Sequence, residues 1–296
     1  MLKERAFKTP WIFVGICVLP AFLLTLYVIA WPAIQVLWLS FTNASVLGMQ
    51  SAEFIGLKNY SDMFGDRRFI EALNNTGRLL LVAPVITIVF ALILAVMVTQ
   101  SKLKERNFYR TVFFFPSIVS MTVIGIVWSF IFHPRMGLLN VLLVGLGFEQ
   151  FEHFPWVADP TTAIWTVAVA FIWQSAGYFM VMHIAAIDGV SADVYEAATI
   201  DGAGPIRKLV SITLPLIKNI VGITFIFAIS GILDNSFALS RVMTPKGRAD
   251  VLLTYIYTQG FENARYGYAM AITAFTLILA IGLAAISRLV TGSKER

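Results

Sequence analysis

Long uncharged runs dominate the pattern of apolar and polar positions. Leu79–Val98 holds 20 residues, Thr111–Phe132 holds 22, Ala163–Ile187 holds 25 and Gly267–Ser287 holds 21, none of them charged. Trp11–Phe41 is an uncharged run of 31 residues interrupted by Pro20 and Pro32. A further run, from about Leu216 to Leu239, contains only Lys218 near its start and Asp234 near its end. A helix needs about 20 apolar residues to cross a hydrocarbon core of ~30 Å. The pattern therefore predicts an all-α polytopic membrane protein. Six spans, at about 11–41, 77–99, 111–132, 163–187, 216–239 and 267–288, lie in a single transmembrane domain covering 1–296, with a loop at 188–215. Lys3, Arg5 and Lys8 precede the first run, as in a signal peptide. A cleavable apolar region has about 7–15 residues, so this run reads as a retained helix, kinked or broken at its prolines.

Composition agrees. Hydrophobic residues make up 58% and charged residues 13%, against about half and about a quarter in soluble domains. This excludes a disordered tail, a coiled coil and most soluble enzymes. One cysteine, Cys17, permits neither an intrachain disulfide nor a cysteine metal cluster. The net charge of +5 is uneven along the chain. With the N-terminus cytoplasmic, six spans return the C-terminus to the same side. Lys3, Arg5, Lys8, Lys102, Lys104, Arg106, Arg110, Arg207, Lys208, Lys218, Arg288, Lys294 and Arg296 then lie inside. Lys58, Arg67, Arg68, Arg135, Arg241, Lys246, Arg248 and Arg265 lie outside, in longer segments. This is the positive-inside asymmetry, so the basic balance reports topology and lends no support to nucleic-acid binding.

The spans lack the ionisable groups that ion-coupled transport requires. The second, third and sixth runs hold none, the fourth only His183, and the fifth, beyond Lys218 near its start, Asp234 near its outer end; a lone histidine on a helix reads as a packed residue. No G-x-x-x-x-G-K-[ST] phosphate loop occurs, nor even a Gly-Lys pair. ATP, if it drives this protein, is hydrolysed by a partner. No H-E-x-x-H, G-x-S-x-G or clustered His/Asp/Glu appears, so no residue is assigned a catalytic role and none a metal.

The loop between the fourth and fifth spans is the most informative segment. Ser191 suits an N-cap and Asp193 a first helical turn. Ala192–Ile200 then gives about two turns, and Asp201-Gly202 ends them. Gly204-Pro205 opens a second short helix, and Pro215 stands near the start of span five. The prediction is two short helices at an angle on the cytoplasmic face. Ala197 and Ala198 flank Glu196 and allow close approach of another surface, with the carboxylate free to pair with an arginine there. An amphipathic hairpin lying on lipid headgroups would read the same way.

Glu196-Ala197-Ala198, Gly202 and Ile212-x-Leu214-Pro215 together resemble the EAA signature of binding-protein-dependent ABC importer permeases, with every fixed position met. Phe54–Tyr60, Ala72–Thr76, Gly137–Asn140, Trp156–Pro160, Ile172-Trp173, Tyr255–Tyr257, Gly260-Phe261 and Tyr266–Ala271 are similar to segments of the carbohydrate-uptake branch, most of all its maltose-type sugar permeases. One departure stands out. The family often carries Thr-x-Gly-Gly-Pro after the fifth core helix, and this chain has Thr244-Pro245-Lys246-Gly247.

The resemblance implies the type I importer permease fold and a non-catalytic transmembrane subunit in a bacterial cytoplasmic membrane. It implies a second EAA-type permease as partner, two copies of an ABC ATPase that hold ATP and Mg, an extracellular solute-binding protein and a sugar, an oligosaccharide by the nearest likeness. No cofactor is expected on this chain. Glu196, Ala197, Ala198, Asp201, Gly202, Ile212, Leu214 and Pro215 would form the ATPase-coupling region. Sugar recognition needs aromatic faces, amides and carboxylates. Trp173, Gln174, Tyr178, Asp234 and Asn235 are the candidates for the substrate path, with helix packing as their alternative use. An importer of another polar solute, such as a glycerol phosphate or a polyol, is the second reading.

Overall fold

The structure, a computed structural model, describes residues 11–45, 52–100, 105–245 and 247–291. Lys3, Arg5, Lys8, Lys102, Lys104, Lys246, Lys294 and Arg296 lie outside them. The helices are α1 (Trp11–Thr25), α2 (Trp31–Leu39), α3 (Lys58–Gly65), α4 (Arg67–Gln100), α5 (Arg106–Phe114), α6 (Met121–Ile131), α7 (Leu138–Gly145), α8 (Ala163–Asp188), α9 (Ala192–Ile200), α10 (Pro205–Lys208), α11 (Leu214–Met243), α12 (Leu252–Tyr257) and α13 (Tyr266–Thr291). Among the described residues, five helical stretches are long and apolar enough to cross a membrane, six when α5 and α6 are taken as one bent span. The described residues form two compact units, within 1–65 plus 256–275 and within 66–255 plus 276–296.

In the first unit, α1 and α2 join through a π turn, Leu26–Ala30, immediately before Pro32. A proline ring has no N–H and clashes with the carbonyl four residues earlier, and a widened turn is one way a helix absorbs that. The expected break is thus a bulge. No residue of the π turn or of α2 is buried. The Phe54–Tyr60 segment is structural. The Asn59 Nδ2 donates to the carbonyls of Ser40, at 2.9 Å, and Thr42, at 2.8 Å, and the Tyr60 hydroxyl donates to Ser40 Oγ at 2.8 Å. The Gly267 N–H donates to the Ala44 carbonyl, and a Cβ on Gly267 would lie 2.1 Å from the Thr42 carbonyl oxygen. Only glycine fits there.

The second unit packs α4, α6, α8 and α11. Alanines let α4 and α8 approach closely: Ala83, Ala91 and Ala95 on one, Ala168, Ala170 and Ala176 on the other, all buried. The apolar core divides into two clusters. One is built around Leu79, Ile164, Phe171, Ile232 and Leu239, the other around Ile88, Leu94, Phe179, Ile184 and Ile217. His183 is fully buried between α8 and α11, its Nε2 2.9 Å from Thr224 Oγ1, which matches a packing role. At the start of α8 the exposed Asp159 carboxylate accepts from the backbone amides of Thr161 and Thr162 and from the Thr161 hydroxyl. These bonds, the Thr161 hydroxyl foremost, hold it below the usual carboxylate range. Asn140 joins the two nearby motifs. It donates to the carbonyls of Pro134 and Phe154 and accepts from the Trp156 indole N–H.

Two expectations are corrected. The 111–132 run is not one rod: Arg106–Ile118 and Met121–Ile131 meet at 99°. Pro116 opens a 3-10 turn, Phe115–Ile118, and Val119 and Ser120 are extended. The missing proline N–H and the extended Ser120 end one helix and start the next. Nor is there a separate second short helix after Gly204. Pro205 to Met243 runs on for 39 residues, because a π turn, Leu209–Thr213, carries α10 into α11 just before Pro215. The proline is again absorbed by widening the turn.

Candidate functional site

Two sites emerge in the second unit, an exposed elbow and an internal cavity. The elbow begins with α9. Its end is a Schellman closure: Ala203 N–H donates to the Ala198 carbonyl and Gly202 N–H to that of Thr199. This places Gly202 at φ +73°, a left-handed conformation that side chains disfavour. Glu196 and Asp201 project into open space, as does Ile200, which is 87% exposed. Ala197 is exposed but Ala198 is buried. Only one of the two alanines therefore offers a close-approach surface; the other packs inward. Ile212 and Leu214 are half-buried and Pro215 is exposed in the first turn of α11.

The elbow is tied to the long helix. The Tyr195 hydroxyl lies 3.2 Å from Thr213 Oγ1, and the Lys208 Nζ donates to Thr199 Oγ1 at 2.7 Å. Beside it, the Arg106 guanidinium meets both carboxylate oxygens of Asp188, at 2.9 and 2.7 Å, joining the start of α5 to the end of α8.

The cavity, of about 370 Å³, opens where the two apolar clusters meet. Gln174, Tyr178, Asp234 and Asn235 all line it. Trp173 lies outside this lining. One residue on a helix turns the side chain by about 100°, and the Trp173 ring instead meets Trp128 of α6 edge-on, 5.8 Å between centroids. The lining also includes Phe171, Ser175, Phe227, Ser230 and Gly231. These had a signal in the sequence. Phe171, Gln174, Ser175 and Tyr178 fall at i, i+3, i+4 and i+7, as do Phe227, Ser230, Gly231 and Asp234, the spacing of one helix face. Ser117 and Met121, from the α5–α6 bend, have none, because an unbroken apolar run does not mark where a helix bends.

The bend is held in place by two contacts. The Gln174 Nε2 donates to the Ser117 carbonyl at 3.3 Å. A Cβ on Gly177 would lie 1.9 Å from the Phe113 carbonyl oxygen, so the backbone of α5 rests directly on this glycine. Irregular backbone at membrane depth is tolerated where protein buries it or it faces a cavity, and both hold here. Of the Thr244-Pro245-Lys246-Gly247 departure, Thr244, Pro245 and Gly247 lie among the described residues. Arg248 N–H donates to the Pro245 carbonyl, and Gly247 adopts φ +83°. Among the described residues there is no cluster of His, Cys, Asp and Glu able to hold a metal.

Known proteins resemble this chain in sequence and in fold. A diacetylchitobiose uptake system permease of Streptomyces coelicolor is 35% identical over 81% of this chain and 72% of its own length. A probable ABC transporter permease of Bacillus subtilis is 34% identical over 88% of this chain and 89% of its own. An sn-glycerol-3-phosphate transport system permease of Pectobacterium atrosepticum is 27% identical over 96% and 95%. A crystal structure of a bacterial ABC transporter involved in import of the acidic polysaccharide alginate has the same fold, with a TM-score of 0.82, 23% identity and coverage of 97% and 96%. Residues 88–293 match the family described as the binding-protein-dependent transport system inner membrane component. The chain belongs to that family, and is a multi-pass permease subunit of the sugar ABC importer type.

Proposed function

We propose that this chain forms one half of the membrane path of an ATP-driven importer for an oligosaccharide, with a second EAA-type permease as the other half. Two copies of a separate ATPase, which hold ATP and Mg, would dock from the cytoplasm on the Glu196 elbow. An extracellular solute-binding protein would deliver the sugar from the opposite side. Both termini would be cytoplasmic, as the distribution of Lys and Arg favours. The catalytic work lies in the ATPase subunits, and this chain converts their motion. The alginate importer has also been crystallised with a pentasaccharide-bound periplasmic protein, which supports an extracellular donor.

One observation carries this reading: elbow and cavity share a helix. The stretch Pro205–Met243 holds Lys208 and Thr213 at one end and Phe227, Ser230, Asp234 and Asn235 further along. From Thr213 to Asp234 is about 30 Å at 1.5 Å per residue. A push on the elbow tilts the wall of the cavity directly, with no flexible joint between. ATP-driven closure beneath the elbow then selects between two rigid-body arrangements of the cavity.

The test is ATP hydrolysis by the purified complex of both permeases and the ATPase, with native chain or Glu196→Arg. Native hydrolysis rises when sugar-loaded binding protein is added, and the charge reversal abolishes that rise or prevents assembly. A Glu196→Arg complex that assembles and responds like the native one defeats the coupling assignment.

A further inference from the structure

The cavity lining contains one ionised side-chain type and it is acidic. Lys, Arg and His are absent from the residues that line it, while Asp234 projects into it. Among the described residues Asp234 makes no hydrogen bond and no ion pair. A carboxylate at membrane depth without a counter-charge needs a donor, whether water, a partner cation or the transported solute.

Several donors in the lining are already used inside the chain. Ser117 Oγ donates to the Phe114 carbonyl, Ser175 Oγ to Gln174 Oε1, Gln174 Nε2 to the Ser117 carbonyl, and Asn235 Nδ2 to the Gly231 carbonyl at 2.8 Å. That leaves the Asp234 carboxylate and the Asn235 Oδ1 as acceptors, one further N–H on each of the Gln174 and Asn235 amides as donors, and the Tyr178 and Ser230 hydroxyls able to act either way. A lining with neutral donors and acceptors and a single acidic group suits a solute that presents hydroxyl and amide or ammonium groups. It is unsuited to phosphate or carboxylate, which bring further negative charge.

Resting on the sugar-importer reading, we infer that this chain's cavity selects uncharged or amino-bearing sugars and rejects anionic ones, with Asp234 as the residue that sets the charge preference. Asp234 accepts hydrogen bonds from sugar hydroxyls or an ammonium group, and like-charge repulsion turns an anion away. Tyr178 offers the ring face for the sugar's C–H surface.

The binding protein has its own selectivity, so the test omits it. Equilibrium binding is measured to the detergent-solubilised complex of both permeases and the ATPase. The probes are diacetylchitobiose (uncharged), chitobiose (cationic), a disaccharide of uronic acids, and sn-glycerol 3-phosphate. The native complex is expected to bind both amino-sugar disaccharides at least ten-fold more tightly than either anion. Asp234→Asn is expected to narrow that gap at least five-fold, with the loss of affinity falling most heavily on cationic chitobiose. Native complex that binds the anions as tightly as diacetylchitobiose overturns the inference and leaves the sugar reading standing, since it means a cation of the partner permease neutralises Asp234. A gap left unchanged by Asp234→Asn overturns the assignment to this residue. Failure of all four probes to bind removes the sugar reading and the inference with it.

Discussion

Gly177 shows how a single residue positions the site. The backbone of Phe113 and Phe114 lies where its Cβ would be, so any side chain must push α5 away from α8. Gly177→Ala is expected to cost about 1–3 kcal/mol as an overpacked contact, and Gly177→Val to block stable assembly. Thermal unfolding of the purified complex reads the first and its yield the second. Gln174→Ala, which frees the Ser117 carbonyl without adding bulk, is expected to leave the complex assembled but weaken sugar binding several-fold, because the bend that carries Ser117 and Met121 loses its tie. Neither role was legible in the sequence. Gln174 was identified as polar on an apolar helix, but its partner is a backbone carbonyl exposed only by the bend. Gly177 is one of 20 glycines, and nothing in its neighbours marks it.

At the scale of elements, prolines divide into those a helix absorbs and one that redirects it. Pro32 and Pro215 follow π turns within continuous helices, whereas Pro116 stands at a 99° bend. A proline's missing donor is common to all three, so the residue type could not separate the outcomes. The extended Val119 and Ser120 mark the difference, and the Phe115–Ile118 turn before them is what meets α8, through Gln174. The elbow was more legible, because its Gly202 terminator works through local backbone geometry. Gly202→Val is expected to strain the φ of +73° and lower ATP-driven uptake in proteoliposomes, with the cavity's sugar affinity retained. Asp159 makes a pH-dependent element. Its carboxylate is held below the ordinary value, so the stabilisation it gives the start of α8 is present above the unfolded carboxylate pKa of about 3.9 and fades as pH falls through the lower folded value. Thermal stability of the native complex is expected to fall faster over that acidic range than that of Asp159→Asn.

For the whole molecule, run length alone conveyed the helical membrane architecture, because the bilayer imposes a length that few soluble helices need. The cavity was partly legible: four of five candidate residues line it, drawn from two helix faces with i, i+3, i+4, i+7 spacing. What the sequence could not supply was the third wall, at the α5–α6 bend. The cavity is thus lined by one bent and two straight helices, with the long one reaching the elbow.

The proposed import mechanism requires this cavity to open to each side of the membrane in turn. The most direct measurement labels Ser230→Cys, in a Cys17→Ser background, with a membrane-impermeant maleimide in proteoliposomes of the full complex. Ser230 is exposed and lines the cavity, and cysteine is close to it in size. The account predicts labelling from the elbow side without nucleotide, suppression of that labelling when ATP and vanadate trap the ATPase, and protection by bound sugar. Labelling that is indifferent to both nucleotide and sugar would contradict it, because the cavity would then be neither gated by the elbow nor occupied by the solute.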